Sequence, residues 1–336
     1  MKLADRIQAF VSLGTYLQEL TAEEADRLSR LAQGRNGWFT PSNVRFALKA
    51  WASLLQPQNI NKWLEAYNIP DEQEAPKHVG LVMAGNIPLV GFHDMLCVLI
   101  SGHNLHAKPS SSDPLPEVLS KKLLEIEPRF ASHIEFQEQL KHMDAYIATG
   151  SDNTYRYFEY YFRNTPSIIR KNRSSCALLT GNESADELKA LGRDMLQYWG
   201  LGCRSVNKLF VPEEYDFPTL FRSLEVWSDV QNHHKWSNNY DYYKSIFLVN
   251  GEQHLDTGFL LFKEAEAFAS PVSVVYYQYY RDLQEAEKLV EEHREKLQCI
   301  VGQESTPAST AFGQAQRPQL WDYADGIDTL AFLLKL

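Results

Sequence analysis

The sequence predicts an α/β protein: a helical N-terminal segment, then strands alternating with helices around a mostly parallel sheet. Two observations predict it. Residues 1–75 carry helix-start signals and one-faced apolar spacing, and from residue 78 short apolar runs alternate with amphipathic stretches. In the first region Thr21 and Glu24 have capping-box spacing. Thr40 before Pro41 marks another helix start, after which Val44, Ala47, Leu48 and Trp51 recur on one face. The stretch IPDEQEAPKH (69–78), with its prolines and acidic residues, reads as a linker or surface loop.

The run HVGLVMAG (78–85) suits a buried strand that ends in glycine. A helix is expected over 92–100, a strand over 103–108 and a helix over 116–126. A strand over 144–149 leads into a helix opening at Ser151, and short strands are expected over 167–170 and 176–180. Ser184 with Glu187 makes a second capping box for a helix through Leu188, Leu191 and Met195. Gly200 and Gly202 end it, and 206–211 reads as a strand, so Cys203 falls in a tight turn between helix and strand. Beyond it lie an expected helix over 216–231, strands over 257–262 and 271–280, a charged helix over 282–297 and a strand over 298–301. The tail ends in an apolar run that should dock on the body.

Length and composition bound the function. At 336 residues the chain suggests two domains, and 44% hydrophobic with 23% charged residues is a globular balance. Lys plus Arg number 33 against 43 Asp plus Glu, a net charge of -10 that repels phosphate backbones and argues against nucleic acid as a partner. No apolar stretch reaches the ~20 residues of a membrane span. The four cysteines, at 97, 176, 203 and 299, have no zinc-ligand spacing and form no dense disulfide framework, so no metal site is expected. With no secretion-signal pattern at the N-terminus, a reducing, cytoplasmic setting is expected.

Four segments could carry chemistry. Cys203 is a candidate nucleophile: the flanking Gly200 and Gly202 permit close approach to the backbone, and Arg204 favours a thiolate. Free cysteines are more often inert core residues, and that reading stays open. In AGNIPLVG (84–91) a turn after a strand can aim the Asn86 amide at a developing negative charge, or it is an ordinary strand-to-helix turn. In HAKPSSSDP (106–114) Lys108, at a strand end, can meet a phosphate or ribose, or is simply solvated. In ATGSDNTYR (148–156) Gly150 and Ser151 open a helix whose N-terminus can bind an anion, and Ser is also a common N-cap. Arg170, Lys171 and Arg173 form a basic cluster able to hold a cofactor phosphate or to lie in a solvated loop. His233 and His234, with no third ligand, read as surface or core histidines.

Taken in order, these segments resemble the aldehyde dehydrogenase superfamily. Strand, GNIPLVG, helix, strand ending AKPS, helix, strand ending TGS, helix, then Gly-x-Cys is its succession. More closely the chain resembles the LuxC family, the fatty acyl-CoA or acyl-protein reductases best known from bacterial bioluminescence, whose C-terminal signature is similar to FGQAQRPQLWDYADGIDTLAFL. The similarity spans residues 76–336. It implies a helical N-terminal segment (1–75), a Rossmann-like NAD(P)-binding domain (76–171 with 303–336) and an inserted α/β catalytic domain (172–302).

The resemblance implies that Cys203 is the catalytic thiol and Asn86, with the Cys203 backbone N–H, the oxyanion hole. Lys108 would contact the adenosine ribose, and Gly150 with Ser151 the pyrophosphate. The glutamate that grips the nicotinamide ribose falls at Ala267 or Glu266, and Glu266 is assigned the role. Two departures carry information. The glutamate with which aldehyde-oxidising relatives activate water falls near Ile169, which favours reductive, CoA-dependent chemistry. The acidic residue usual after the lysine is Ser111, and its absence permits NADP(H) as well as NAD(H). The implied activity is reduction of an acyl thioester, with coenzyme A part of the substrate, to an aldehyde through a cysteine thioester in cytoplasmic fatty acid metabolism. An acyl-carrier-protein or acyl phosphate substrate, or a scaffold that kept the fold and lost catalysis, are the alternatives. Relatives assemble through exchanged strands, which implies a homo-oligomer.

Overall fold

The computed structural model describes residues 1–150 and 152–336. The chain divides into two compact units, Met1–Lys171 with Gln319–Leu336, and Asn172–Pro318.

The first unit opens with α1 (Leu3–Gln18), α2 (Ala22–Arg35), α3 (Pro41–Leu54) and α4 (Pro57–Leu64). The Thr21–Glu24 box closes as expected, Thr21 Oγ1 accepting from the Glu24 N–H while the Glu24 carboxylate accepts from the Thr21 N–H. Phe10, Leu13 and Leu17 turn the apolar face of α1 inward. At Gly14 a Cβ would lie 2.7 Å from that of Leu55, so glycine alone lets α1 approach so closely. The buried Arg6 guanidinium donates to the carbonyls of Met1, Pro70 and Ile100, which fastens α1 to the loop at Pro70 and to the helix that carries Ile100.

There follow β1 (His78–Val82), α5 (Phe92–Ser101), β2 (Asn104–Lys108), α6 (Leu115–Ile126), β3 (Ile134–Phe136), β4 (Ala145–Thr149), α7 (Asp152–Phe162) and β5 (Ser167–Arg170). They form a parallel sheet of order β3-β2-β1-β4-β5. Val79, Gly80 and Leu81 of the central β1 are all buried, which explains its unbroken apolar run. From β1 the chain builds outward through β2 to β3, then returns to β1's other side with β4. The β1–β4 step is thus a switch point, where open parallel sheets hold ligands beyond the carboxyl ends of their strands.

The second unit holds β6 (Ser174–Leu178), α8 (Ala185–Leu196), β7 (Val206–Pro212), α9 (Phe217–Leu224), α10 (His234–Val249), β8 (Leu255–Asp256), β9 (Leu261–Glu264), β10 (Val274–Tyr280), α11 (Leu283–Glu292) and β11 (Leu297–Val301). Its sheet has the order β11-β6-β7-β10-β9-β8 and is parallel except at β8–β9. Residues 302–318 stay with this unit, where Thr310 bridges Val301. The chain then rejoins the first unit and ends in α12 (Thr329–Leu333), which buries Leu330 and Leu333 and rests on α5. The tail docks as expected, secured by Trp63 Nε1 donating to the Tyr323 hydroxyl (2.7 Å) and by the Tyr67 hydroxyl donating to Asp328 (2.7 Å).

Three elements differ from expectation. Helix α10 and the short β3 were not anticipated. The strand expected over 257–262 is two short strands around a turn, in which Thr257 Oγ1 accepts from the Leu260 N–H. Among the described residues no helix is long and apolar enough to cross a membrane.

Candidate active site

In the first unit the expected cofactor residues gather at one sheet edge. Val82 of β1 is in register with Lys108 of β2 and Ala148 of β4, so the loops bearing Asn86, Ser111 and Gly150 leave the sheet side by side. Asn86, Lys108 and Ser111 are exposed. Met83 N–H donates to the Lys108 carbonyl (3.1 Å), which carries the β1–β2 pairing into the Asn86 turn. A Cβ on Gly85 would lie 2.1 Å from Ser110 Oγ, so glycine is required where the two loops touch. A Cβ on Gly150 would lie 2.9 Å from that of Thr154, so the end of β4 packs closely on α7. Ser151, the other half of the expected pyrophosphate pair, lies outside the described residues.

Sequence reasoning missed Asp113. It is buried, and its carboxylate accepts from the N–H of Leu89 (2.7 Å) and of Leu115 (3.0 Å). The Asn86 loop is therefore anchored twice, through Gly85 and through Leu89, whose φ of 61° is left-handed. Burial lifts the Asp113 carboxyl to about 6, against the pull of its two N–H donors. The signal was there in Ser-Asp-Pro, since an Asp ahead of a helix commonly captures backbone amides.

In the basic cluster Arg170 departs from both readings, being engaged in packing, whereas Lys171 is exposed. Arg170 is buried, forms a two-pronged ion pair with Asp94, and donates to Thr329 Oγ1 (2.8 Å). Lys171 lies over the Tyr155 ring (4.6 Å), and Arg173 donates to the Leu297 carbonyl (3.1 Å). Ile169 packs against an apolar cluster that includes Tyr146, Ala148 and Phe162.

In the second unit the helix-to-strand turn is sharper than glycines alone would make it. After α8, Tyr198 (φ 55°, ψ 24°), Trp199 (φ 63°, ψ 25°) and Gly200 (φ 69°) are all left-handed. Such backbone costs roughly 1–2 kcal/mol per non-glycine residue, and strain of this kind gathers at functional sites. It is held by the buried Tyr198 side chain and by the Trp199 ring, 4.3 Å from that of His233 and 6.1 Å from that of Trp236. Cys203 follows, half-buried, whereas Cys97, Cys176 and Cys299 are buried. Burial raises the thiols of Cys97 and Cys176, the latter to about 12, so both stay protonated at neutral pH. Glu266 is exposed just beyond β9. Cys203 precedes the amino end of β7, and β7, β10 and β9 run parallel, so Cys203 and Glu266 leave this sheet at opposite ends.

Two more buried groups in this unit escaped sequence reasoning. Lys208 is fully buried, donates to the Ala265 carbonyl and to Gln278 Oε1 (3.0 Å), and is pushed down to about 8 by burial. Asp194 accepts from the N–H of Gly313 (2.6 Å) and of Ala315 (3.0 Å), and burial lifts its carboxyl to about 7. Among the described residues no group of three or more His, Cys, Asp or Glu could hold a metal ion.

The fold is that of the aldehyde dehydrogenases. An NAD+ complex of aldehyde dehydrogenase from Bacillus cereus matches with a TM-score of 0.63 at 13% identity, covering 93% of this chain and 76% of that one. A cysteine-to-alanine mutant of the indole-3-acetaldehyde dehydrogenase AldA from P. syringae, with NAD+ and IAA, matches with a TM-score of 0.66 at 14% identity, covering 92% and 73%. A cysteine-to-alanine mutant of aldehyde dehydrogenase C from Pseudomonas syringae, with NAD+ and octanal, gives 0.64 at 13% identity, covering 90% and 73%. No family model and no curated protein sequence matches the chain.

Proposed function

We propose that the protein reduces an activated acyl group, a fatty acyl thioester of coenzyme A, to an aldehyde with NADPH, by way of a thioester on Cys203. The observation that carries this reading is the accessibility of one thiol, half-buried in a strained turn, beside three buried ones. In the first unit, the fit for a nicotinamide dinucleotide rests on the switch-point edge. There Lys108 and Ser111 would hold the adenosine ribose, and Gly150 with Ser151 the pyrophosphate. Serine at 111 leaves no carboxylate to repel a 2′-phosphate, and Lys108 supplies an exposed cation beside it.

The Cys203 thiolate attacks the acyl carbonyl, the Cys203 N–H donates to the oxygen as it gains charge, and Asn86 is the residue to which the resemblance assigns the same role. The oxyanion collapses, the bond to the carrier sulfur breaks, the carrier thiolate takes a proton from solvent, and the acyl group stays on Cys203. When bound, the reduced cofactor supplies the hydride. The alkoxide then left on the Cys203 thiohemiacetal re-forms the carbonyl and breaks the C–S bond, releasing aldehyde and restoring the thiolate. Ile169 supports reduction over oxidation: an apolar side chain packed among aromatic residues cannot activate water, so the thioester persists until it is reduced.

The test is oxidation of NADPH or NADH with acyl-CoA, acyl-carrier protein or acyl phosphate as substrate. Cys203→Ala is expected to abolish turnover, and Asn86→Ala to slow it ~10²–10³-fold. Turnover of Cys203→Ala at the wild-type rate removes the reading.

A further inference from the structure

Resting on that reading of Cys203, we propose that Ser175 is the positioning residue that sets the direction of the Cys203 side chain. Ser175 lies in β6 and is fully buried. Its hydroxyl donates to the Cys203 carbonyl (2.9 Å) and accepts from the Cys299 N–H (3.0 Å). A hydroxyl can do both at once, so one side chain ties the turn to β11 through β6. The Ser175 N–H also donates to the Ser205 carbonyl (3.3 Å), so β6 grips the turn at two points.

The consequence for Cys203 follows from peptide planarity. In a trans peptide the N–H points opposite to the preceding carbonyl. The Gly202 carbonyl accepts from the Ser205 N–H (3.0 Å), which fixes the direction of the Cys203 N–H. The Cys203 carbonyl is held by Ser175. Both peptide planes that meet at the Cys203 Cα are thus pinned, and with them the Cα–Cβ bond that aims the sulfur. Ser205 is braced in turn, its hydroxyl accepting from Gln316 Nε2 (3.1 Å) on the loop that Asp194 secures. Arg204 donates to Cys299 Sγ (3.3 Å), so its side chain reaches β11. Ser175 touches no reacting atom in this scheme and acts through the turn alone.

The test compares Ser175→Ala and Ser175→Thr in the full chain, by kcat, KM and the rate of Cys203 alkylation with iodoacetamide across pH. A small displacement of a reacting group can cost ~10²-fold in rate. We expect Ser175→Ala to lower kcat about ten- to a hundredfold with little change in KM and to alter the pH profile of Cys203 alkylation, and Ser175→Thr, which keeps the hydroxyl, to restore most of both. A folded Ser175→Ala with wild-type kcat and alkylation profile overturns the positioning role while Cys203 stays the nucleophile. Turnover by Cys203→Ala overturns the nucleophile itself. Ser175→Ala also leaves the buried Cys299 N–H without its acceptor. If Ser175→Ala therefore does not fold, Ser175→Cys, similar in shape with a weaker donor, is measured the same way, and an unaltered alkylation profile overturns the role.

Discussion

Asp113 in the first unit and Asp194 in the second perform the same task by different routes. Each is a buried carboxylate that accepts two backbone N–H groups, one of them from a left-handed residue, Leu89 (φ 61°) or Gly313 (φ 79°). Each secures a loop that serves a candidate catalytic residue: Asp113 the Asn86 loop, Asp194 the loop whose Gln316 braces Ser205. They differ in reach. Asp113 binds an amide two residues on and another in the preceding loop, whereas the partners of Asp194 lie 119 and 121 residues away. They differ also in electrostatic cost. Burial outweighs the N–H donors at both, lifting Asp113 to about 6 and Asp194 to about 7 from an ordinary 3.8. Two N–H donors can hold a loop without making a buried carboxylate comfortable when charged.

Truncating either carboxylate should give the largest effect. Asp194→Ala or Asp113→Ala leaves two buried N–H groups unsatisfied, about 1–3 kcal/mol each. Urea unfolding should show a loss of about 2–6 kcal/mol for both. Asp194→Ala should also change the rate of Cys203 alkylation, because Gln316 loses its support. A loss below ~0.5 kcal/mol at either site would mean that water satisfies those amides, and the shared device would fail there.

This contrast in reach also explains what the sequence disclosed. The alternation of strand and helix was readable because each element carries its own periodicity, and both capping boxes close as their spacing predicts. Asn86, Lys108 and Gly150 were readable as site candidates because parallel sheets carry their ligand sites in the loops beyond the carboxyl ends of strands. Helix α10 was hidden because Trp236, Tyr240 and Phe247 are its buried residues, while Tyr242, Leu248 and Val249 are exposed apolar residues that blur the stripe. Asp194 was invisible for a related reason: it sits on α8 among Leu191 and Met195, and its partners come from a distant loop. Ser175 looked like one more residue of a strand, since both partners of its hydroxyl are far along the chain. Arg170 misled in the other direction, a charge that reads as exposed but is buried against Asp94.

The pH dependence of stability separates the two carboxylates more finely. Both folded-state values lie above the unfolded 3.8, so the contribution of each is fully present below about pH 4 and is lost as pH rises, through about 6 for Asp113 and about 7 for Asp194. At ~1.4 kcal/mol per unit the loss amounts to a few kcal/mol, larger for Asp194. Lys208 works at the alkaline end with the opposite slope. Its folded value of about 8 lies below the ordinary 10.5, so stability rises between those two values as the unfolded lysine gives up its advantage.

The smallest and most discriminating change is amide for carboxyl. Asp194→Asn cannot ionise and keeps one acceptor oxygen, but turns an NH₂ toward a backbone N–H. It should be destabilised most at pH 4, and the difference from wild type should shrink as pH rises through about 7 and wild type bears the cost of ionising Asp194. For Asp113→Asn the difference should stop shrinking about one unit earlier, because Asp113 is fully ionised sooner. Unfolding free energies of the two variants and wild type, taken in steps from pH 4 to 9, measure both windows. If the two differences shrink over the same pH range, the ordering of the carboxylates fails, and with it the argument that the longer-range anchor is the costlier one to charge.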